Sequence, residues 1–544
     1  MSIRNFRTII VVFLSIISQQ MFAFEGGLSR VSIDLQTQYA AVKAGPKAQT
    51  PALQTAYFYQ QRNFKSVWIT EQGWTPVALK VIKTLTNADQ EGLDPGKYHF
   101  EANVTIGGFS TVVEALKAET GLTMAFLLYI HDVRNGRFDP KMADRQIAIK
   151  PETFDPVKIV SEGLDNTKST DWIDQIPPQF PEYKSLKKLL AATKQLRLTG
   201  QQPRLATQKI LKYKDRSPSV ITLRKLLALK VNSIKFHAQP AFEDIYDEEV
   251  EDAVKLFQLQ NGIEINGSVG PQTKIALNLT PEDRIRQIIV NMERWRWMPR
   301  DLGRRHIKVN IARFELEAIA EGKTVLRSPI IVGRTYRETP LFSAPMTGII
   351  FNPTWHVPHT IAIRDKLPKL RRDPNYFINK GYKVYHTGGG TVDPRSIDWS
   401  QVSAKNFPYH LTQSPGTMNA LGKIRFTIEN NFSVYLHSTP EQYLFEKPVR
   451  TFSSGCIRVL KVAELAKFVL NDFSKWPKSK IEQTMKENKT QQVKVSETLP
   501  VHIGYFTVWI DDKGLPHFSE DIYGQDKLIW QTIERQNKKI KQSL

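Results

Sequence analysis

The chain has 544 residues, of which 41% are hydrophobic, and its 75 Lys plus Arg stand against 54 Asp plus Glu for a formal net charge of +21. This length exceeds one ordinary core and predicts two or three domains, while the hydrophobic share excludes a chain that is disordered throughout. The single cysteine excludes any intramolecular disulfide.

Arg4 and Arg7 precede an apolar run from Thr8 to Ile17, followed by Gln19, Gln20 and Met21-Phe22-Ala23 ahead of Glu25. This is the layout of a signal peptide, with residues 1–23 expected to be removed on export. The run is too short for the roughly 20 residues of a membrane span, although an uncleaved anchor reaching Phe24 is the alternative. An exported basic protein meets wall carboxylates, acidic lipids and lipopolysaccharide rather than nucleic acid, and its charge would attract any of them. Lys538, Lys539 and Lys541 are expected to form a solvated tail.

From about residue 40 to 196 the pattern is mainly helical, as in Leu122 to Val133, with breaks at Gly92, Pro95 and Gly96. A second unit begins near Ser217. Leu223, Leu226 and Leu227 fit one helix face, and Val250, Ala253, Val254 and Phe257 follow the i, i+3, i+4, i+7 spacing of another. Phe257-Gln258, Asn261-Gly262-Ile263, Gly267 and Val269-Gly270-Pro271-Gln272-Thr273 then lead into a third short helix ending near Leu277. A long amphipathic segment follows, with Ile285, Ile288, Ile289, Met292 and Trp295 on one stripe, and Pro299 stops it.

Beyond that point the apolar period changes to two. Ile307, Val309 and Ile311 predict one strand, Val325 to Val332 the next, and Ile424, Phe426 and Ile428 pair across Asn430-Asn431 with Phe432, Val434 and Leu436. The polar face of that last strand carries Ser433, Tyr435 and His437. Between these groups, residues 358–416 are rich in Pro, Gly and basic residues without clean periodicity, which predicts a lid, a binding element or disorder. Val501 to Ile510 and Asp511-Asp512-Lys513-Gly514 predict a final hairpin of the same β domain.

The chemistry concentrates between His437 and Arg458. His437-Ser438-Thr439-Pro440 precedes Ser453-Ser454-Gly455-Cys456-Ile457-Arg458. A thiol with a pKa of about 8.5 is mostly protonated near neutrality, so a nearby imidazole would have to take its proton and later return it to a leaving amine. Gly455 would let the backbone approach a substrate, and the N–H groups of Gly455 and Cys456 could stabilise an oxyanion. A buried, inert cysteine is the plainer alternative.

These residues resemble the signature of YkuD-type L,D-transpeptidases, in which a histidine precedes a Ser-x-Gly-Cys-x-Arg motif by such a gap. Trp295-Arg296-Trp297-Met298-Pro299, Asn352-Pro353-Thr354-Trp355 and Asn135-Gly136-Arg137 with Asp139-Pro140 extend the likeness to the long YcbB type, and the unit around Phe257-Gln258 resembles a peptidoglycan-binding module. The resemblance implies a multidomain α+β protein: a helical scaffold over 24–215, a three-helix peptidoglycan-binding-like module over 216–280, and a β-rich catalytic domain over 281–544 with a capping insertion at about 358–416.

It further implies a periplasmic transferase without a cofactor or metal. Cys456 would attack the carbonyl of the third residue of a tetrapeptide stem, expel D-alanine and pass the thioester to a second stem as a 3-3 cross-link; His437 would act as base and then as acid. Ser454 and Ser438 depart from the histidine and the glycine or aspartate of many relatives, so His437 serves alone, oriented by the carbonyl or the hydroxyl of Ser438. Arg458, Tyr435 and Trp355 would line the substrate site or serve structure. Acylation by carbapenem-type β-lactams and association with other wall-synthesis proteins are implied as well. The alternatives are a cysteine hydrolase of the L,D-carboxypeptidase type and a non-catalytic wall-binding protein. His356 and His359 lack the spacing of a zinc peptidase.

Overall fold

The computed structural model describes residues 27–46, 48, 50–101, 109–166, 169–198, 200, 202–231, 236 and 242–543, so the expected signal peptide lies outside it. Five helices, α1 (Gly27–Tyr39), α2 (Pro51–Gln61), α3 (Pro76–Thr86), α4 (Val112–Asn135) and α5 (Pro156–Asn166), enclose a core that includes Tyr59, Trp68, Phe126 and Ile130. The central helix α4 starts where the Thr111 hydroxyl accepts the Glu114 N–H, satisfying one of the donors a helix start leaves open. The next helix, α6 (Pro181–Leu198), turns Tyr183, Leu186 and Leu190 into a different and larger core, shared with the β domain.

In the three-helix module, α7 (Pro218–Lys230), α8 (Glu248–Gln260) and α9 (Pro271–Asn278) bury Leu223, Leu226, Leu227, Val250, Val254 and Phe257 together. Gln258 explains the pattern of its turns. Its amide donates to the Ser268 carbonyl at 2.9 Å and to Thr273 Oγ1 at 3.2 Å, while its Oε1 accepts the Gly267 N–H at 3.0 Å.

Helix α10 (Pro281–Trp297) opens with a reciprocal capping box between Thr280 and Asp283 and joins the halves of the molecule. Its Glu293 accepts from the Arg137 N–H at 2.6 Å, from Arg137 Nε at 3.0 Å and from Arg296 Nη1 at 2.6 Å, with all of these groups buried. Gly136 sits at φ +87°, and a Cβ there would lie 2.7 Å from Glu293 Oε1 and collide with the Trp297 indole. Asn135-Gly136-Arg137 and Trp295-Arg296-Trp297 thus meet at a close approach that leaves no room for a side chain at Gly136.

Fifteen strands follow: β1 (Arg305–Asn310), β2 (Glu315–Ala320), β3 (Lys323–Gly333), β4 (Phe342–Phe351), β5 (Trp355–His356), β6 (Tyr382–His386), β7 (Thr391–Val392), β8 (Tyr409–Gln413), β9 (Ile424–Ile428), β10 (Leu436–His437), β11 (Thr451–Ser453), β12 (Ile457–Val459), β13 (Gln491–Gly504), β14 (Val508–Ile510) and β15 (Pro516–Phe518). Nine of them form one sheet in the order β11-β3-β12-β10-β9-β4-β13-β1-β2, and a further β2–β3 pairing closes it on itself. Its interior holds Ile307, Val309, Ile330, Ile349, Phe426, Leu436 and Ile457, all fully buried, beneath α11 (Val462–Leu470) and α12 (Lys478–Lys486).

Of the lid, binding element or disorder expected at residues 358–416, disorder is the one the structure excludes. Residues 358–416 are a folded unit: β5, β6, β7 and β8 form their own sheet, a helical run includes a π-turn at Ala362–Lys366, and Trp355, Leu370, Phe377, Val384, Trp399 and Leu411 make a separate core. The irregular sequence period arises because short strands and helical turns alternate around one small core. The strand predicted from Phe432 contributes only Leu436 and His437 to the ladder, since Ser433 adopts φ +55° and Phe432 is 44% exposed.

At the C-terminus the predicted hairpin forms around Asp511–Gly514, where β14 pairs with β15 against the large core; this ribbon stands apart from the nine-stranded sheet, to which β13 belongs. The tail is helical, and Lys538 is exposed as expected of a solvated end. It forms α13 (Gln525–Ser543), whose Ile529 and Ile533 enter the large core, and Ile529→Ala is expected to cost about 2–5 kcal/mol in urea denaturation.

Candidate active site

Sheet register brings the predicted residues together. Strand β10 runs parallel to β12, pairing Leu436 with Ile457 and His437 with Arg458, and antiparallel to β9, pairing His437 with Arg425. Side chains alternate across a strand, so Phe426, Leu436 and Ile457 point into the core while Arg425, His437 and Arg458 form a row on the opposite face. One step along that face come Tyr435 and Cys456, whose strands are linked by the Ile457 N–H donating to the Tyr435 carbonyl at 3.1 Å. The insertion covers this face, with Trp355 and Leu421 in its core and Tyr435 packed against it.

His437 is buried, and its Nδ1 lies 2.6 Å from the Ser438 carbonyl. A carbonyl only accepts, so Nδ1 carries a proton, and a further hydrogen bond to the Leu421 carbonyl also acts to favour the protonated ring. The Ser438 hydroxyl does other work: it accepts the N–H groups of Lys423 at 2.6 Å and Ile424 at 3.2 Å and donates to the Leu421 carbonyl at 3.2 Å, pinning the segment that follows the insertion to the end of β10. Burial and the positive charges of Arg458 and Arg425 pull His437 down to about 3.

Cys456 keeps part of its surface accessible. Burial pushes its thiol above the ordinary value, although hydrogen bonding from Tyr435 and the charges of Arg425 and Arg458 act in the opposite direction. The resting pair is therefore a neutral thiol and a neutral imidazole. The thiol donates to the Ser433 carbonyl at 3.7 Å.

The motif loop is held from inside and outside. Ser453 Oγ donates to the Cys456 carbonyl at 2.5 Å and accepts the Gly455 N–H at 3.1 Å, so the expected oxyanion donor at Gly455 is already engaged and only the Cys456 N–H is left of the predicted pair. Gly455 itself sits at φ +114°, where a side chain is strained. Thr339 Oγ1 donates to the Gly455 carbonyl at 2.9 Å. Ser454 Oγ accepts from Arg337 Nη1 at 3.0 Å, and the same guanidinium forms a two-pronged pair with Asp365 at 2.5 and 2.9 Å. The π-turn of the insertion is thus tied to the cysteine loop.

Arg458 pairs with Glu441 at 2.5 Å, and the Arg425 guanidinium lies 4.6 Å from the Tyr435 ring centroid. The Tyr435 and His437 rings meet edge to face at 5.6 Å, and Trp355 hydrogen-bonds toward the Tyr435 hydroxyl. Arg425, Arg337, Asp365 and Glu441 were not singled out from sequence. Arg425 was findable, because it shares the alternating polar face of β9; the other three meet the site only through tertiary folding. Among the described residues no group of three His, Cys, Asp or Glu is placed to hold a metal ion.

Three family models match: "Scaffold domain" at residues 54–190, "Putative peptidoglycan binding domain" at 216–277 and "L,D-transpeptidase catalytic domain" (YkuD) at 304–503. A curated protein of Haemophilus influenzae named "Putative L,D-transpeptidase" is 35% identical over 223 residues, 41% of this chain and 45% of that protein, so the chain spans less than half the length of this relative. A solved L,D-transpeptidase fragment from Xylanimonas cellulosilytica aligns over 55% of this chain and 98% of its own at 12% identity, with a TM-score of 0.17 too low to bear on the fold. The chain therefore carries a YkuD-family L,D-transpeptidase catalytic domain, preceded by a scaffold domain and a peptidoglycan-binding domain.

Proposed function

We propose that this enzyme joins peptidoglycan stems by 3-3 cross-links through a thioester on Cys456, in the periplasm after export by its N-terminal segment. The observation that supports the reading is that His437 stands on β10 and Cys456 immediately before the neighbouring β12, whose register pairs His437 with Arg458, while the Ser438 carbonyl holds His437 Nδ1.

In the first half-reaction Nε2 takes the thiol proton as sulfur attacks the carbonyl of the third stem residue. The tetrahedral intermediate collapses as the carbon–nitrogen bond breaks, and the imidazolium returns the proton to the departing D-alanine amine. In the second, the side-chain amine of another stem attacks the thioester, gives its proton to His437 and expels the thiolate, which is reprotonated. The Cys456 N–H faces the developing oxyanion, Tyr435 and Trp355 line the acyl site, and Arg458 answers a substrate carboxylate. The same thioester chemistry makes Cys456 the site of carbapenem acylation.

Intact-mass spectrometry of a disaccharide-tetrapeptide incubated with the chain lacking residues 1–23 is expected to show a dimer short of one D-alanine. The Cys456→Ala chain should make none. D-alanine release without dimer would instead assign water as the acceptor, and a dimer from the Cys456→Ala chain would remove the cysteine from the mechanism.

A further inference from the structure

His437 stands between two arginines on one face of the sheet, Arg425 across the ladder to β9 and Arg458 across the ladder to β12. The two guanidiniums are engaged differently. Arg458 is paired with Glu441 at 2.5 Å. Arg425 Nε is buried without a hydrogen-bond partner, and among the described residues no carboxylate pairs with its guanidinium. What that guanidinium touches is the Tyr435 ring, 4.6 Å from its centroid, and the Tyr435 ring meets His437 edge to face at 5.6 Å.

Tyr435 also hydrogen-bonds to Cys456, so Arg425, Tyr435, His437 and Cys456 border one space. The Arg425 charge is felt at both reacting groups: it adds to burial and to Arg458 in lowering His437, and it opposes burial at Cys456. A half-buried guanidinium that has exchanged water for a ring face keeps its N–H donors for an anion.

Strand order decides which anion. Across the sheet the groups run from Cys456 just before β12, through His437 on β10, to Arg425 on β9. An acyl carbon held by sulfur on the β12 side presents its leaving amine to His437, and the leaving group then extends away from sulfur, toward β9. When that group is a C-terminal amino acid, its carboxylate lies one carbon beyond the amine, about 2.5 Å away by ordinary backbone geometry. Directly paired residues of antiparallel strands carry their Cβ atoms about 5 Å apart, which puts the Arg425 side chain within reach, and a guanidinium meets a carboxylate with two parallel N–H groups.

We propose that Arg425 holds the terminal carboxylate of the leaving D-alanine and thereby selects acyl donors that end in a free acid. The inference rests on the cross-linking reading given above and assigns to β9 the part of the site that reads the leaving group.

The test compares two donors, a disaccharide-tetrapeptide ending in D-alanine and the same compound ending in D-alaninamide, with kcat/KM taken from release of the terminal residue. The unaltered chain lacking residues 1–23 is expected to favour the free acid about ten- to a hundredfold, the span of a hydrogen bond to a charged group. In Arg425→Gln the preference should vanish, and Arg425→Lys, which keeps the charge without the planar fork, should recover part of it. A folding defect, or altered proton transfer between Cys456 and His437, slows both donors alike and leaves their ratio untouched, so the ratio isolates the contact. Equal use of both donors by the unaltered chain, or a free-acid preference that survives in Arg425→Gln, would overturn the proposal. Turnover of neither donor by the unaltered chain would remove the catalytic reading instead. The preference is then measured as the calorimetric affinity of both donors for the unaltered chain and for Arg425→Gln; its absence from the first or its retention in the second overturns the Arg425 assignment as well.

Discussion

His437→Gln is expected to lower kcat/KM by about a hundred to ten thousandfold, the range that loss of a positioned general base produces. The resting site holds a thiol pushed up by burial and an imidazole pulled down to about 3, so no thiolate–imidazolium pair stores the nucleophile in advance. Attack must move the thiol proton as the carbon–sulfur bond forms, and glutamine cannot accept it. The same arrangement fixes the acid limb of the pH profile.

The base works only when neutral. Protonation that would silence an ordinary histidine near 6.5 should silence this one only toward about 3. kcat/KM of the unaltered enzyme is therefore expected to hold nearly level below pH 6.5 until that lower value is approached, with the fall absent from the residual activity of His437→Gln. A limb centred near 6.5 would show that His437 is hydrated in the working enzyme or that another group supplies the base.

The proposed nucleophile and base were legible as candidates in sequence because both stand in short motifs whose chemistry demands those residue types. The face they share was legible too, in the alternation of Ile424, Phe426 and Ile428 against Lys423, Arg425 and Thr427. What lay hidden was contact between distant segments. Asp365 reaches Ser454 only through Arg337, and nothing in the spacing of these residues announces a three-part tie. The Gly455 N–H was expected to face substrate; local geometry turned it to the Ser453 hydroxyl instead, because a serine two residues earlier can close a tight side-chain turn. The C-terminal helix escaped for a simpler reason. Its lysines and glutamines dominate the composition, while Ile529 and Ile533, four residues apart on one face, bury it.

Glu293→Gln is expected to cost about 3–5 kcal/mol of stability at neutral pH, the range for breaking a buried ion pair by removing one partner. The substitution is nearly isosteric, so the cavity cost is small and the charge is what is lost. Glu293 balances both Arg137 and Arg296, and the network runs on through Arg296 to the Tyr183 hydroxyl at 3.1 Å and from there to Glu91 at 2.8 Å. Scaffold, α6 and α10 are thus joined by one set of buried charges.

The pH dependence carries a sign. Burial pushes the Glu293 carboxyl up, but Arg137 and Arg296 outweigh it and hold it below the ordinary carboxyl value of 4.5. Its contribution is therefore present above 4.5 and lost as pH falls through the depressed folded value, so the gap between the two chains should be widest near neutrality and close in strong acid. Guanidinium would mask such charges, so urea denaturation is the measurement. Arg137→Met added to Glu293→Gln removes one of the two orphaned cations, and the double variant is expected to lose less stability than the sum of the single ones. Strict additivity would mean that Arg137 and Glu293 stabilise the junction independently, and that packing of Trp297 over Gly136, rather than the shared charge, holds the scaffold in place.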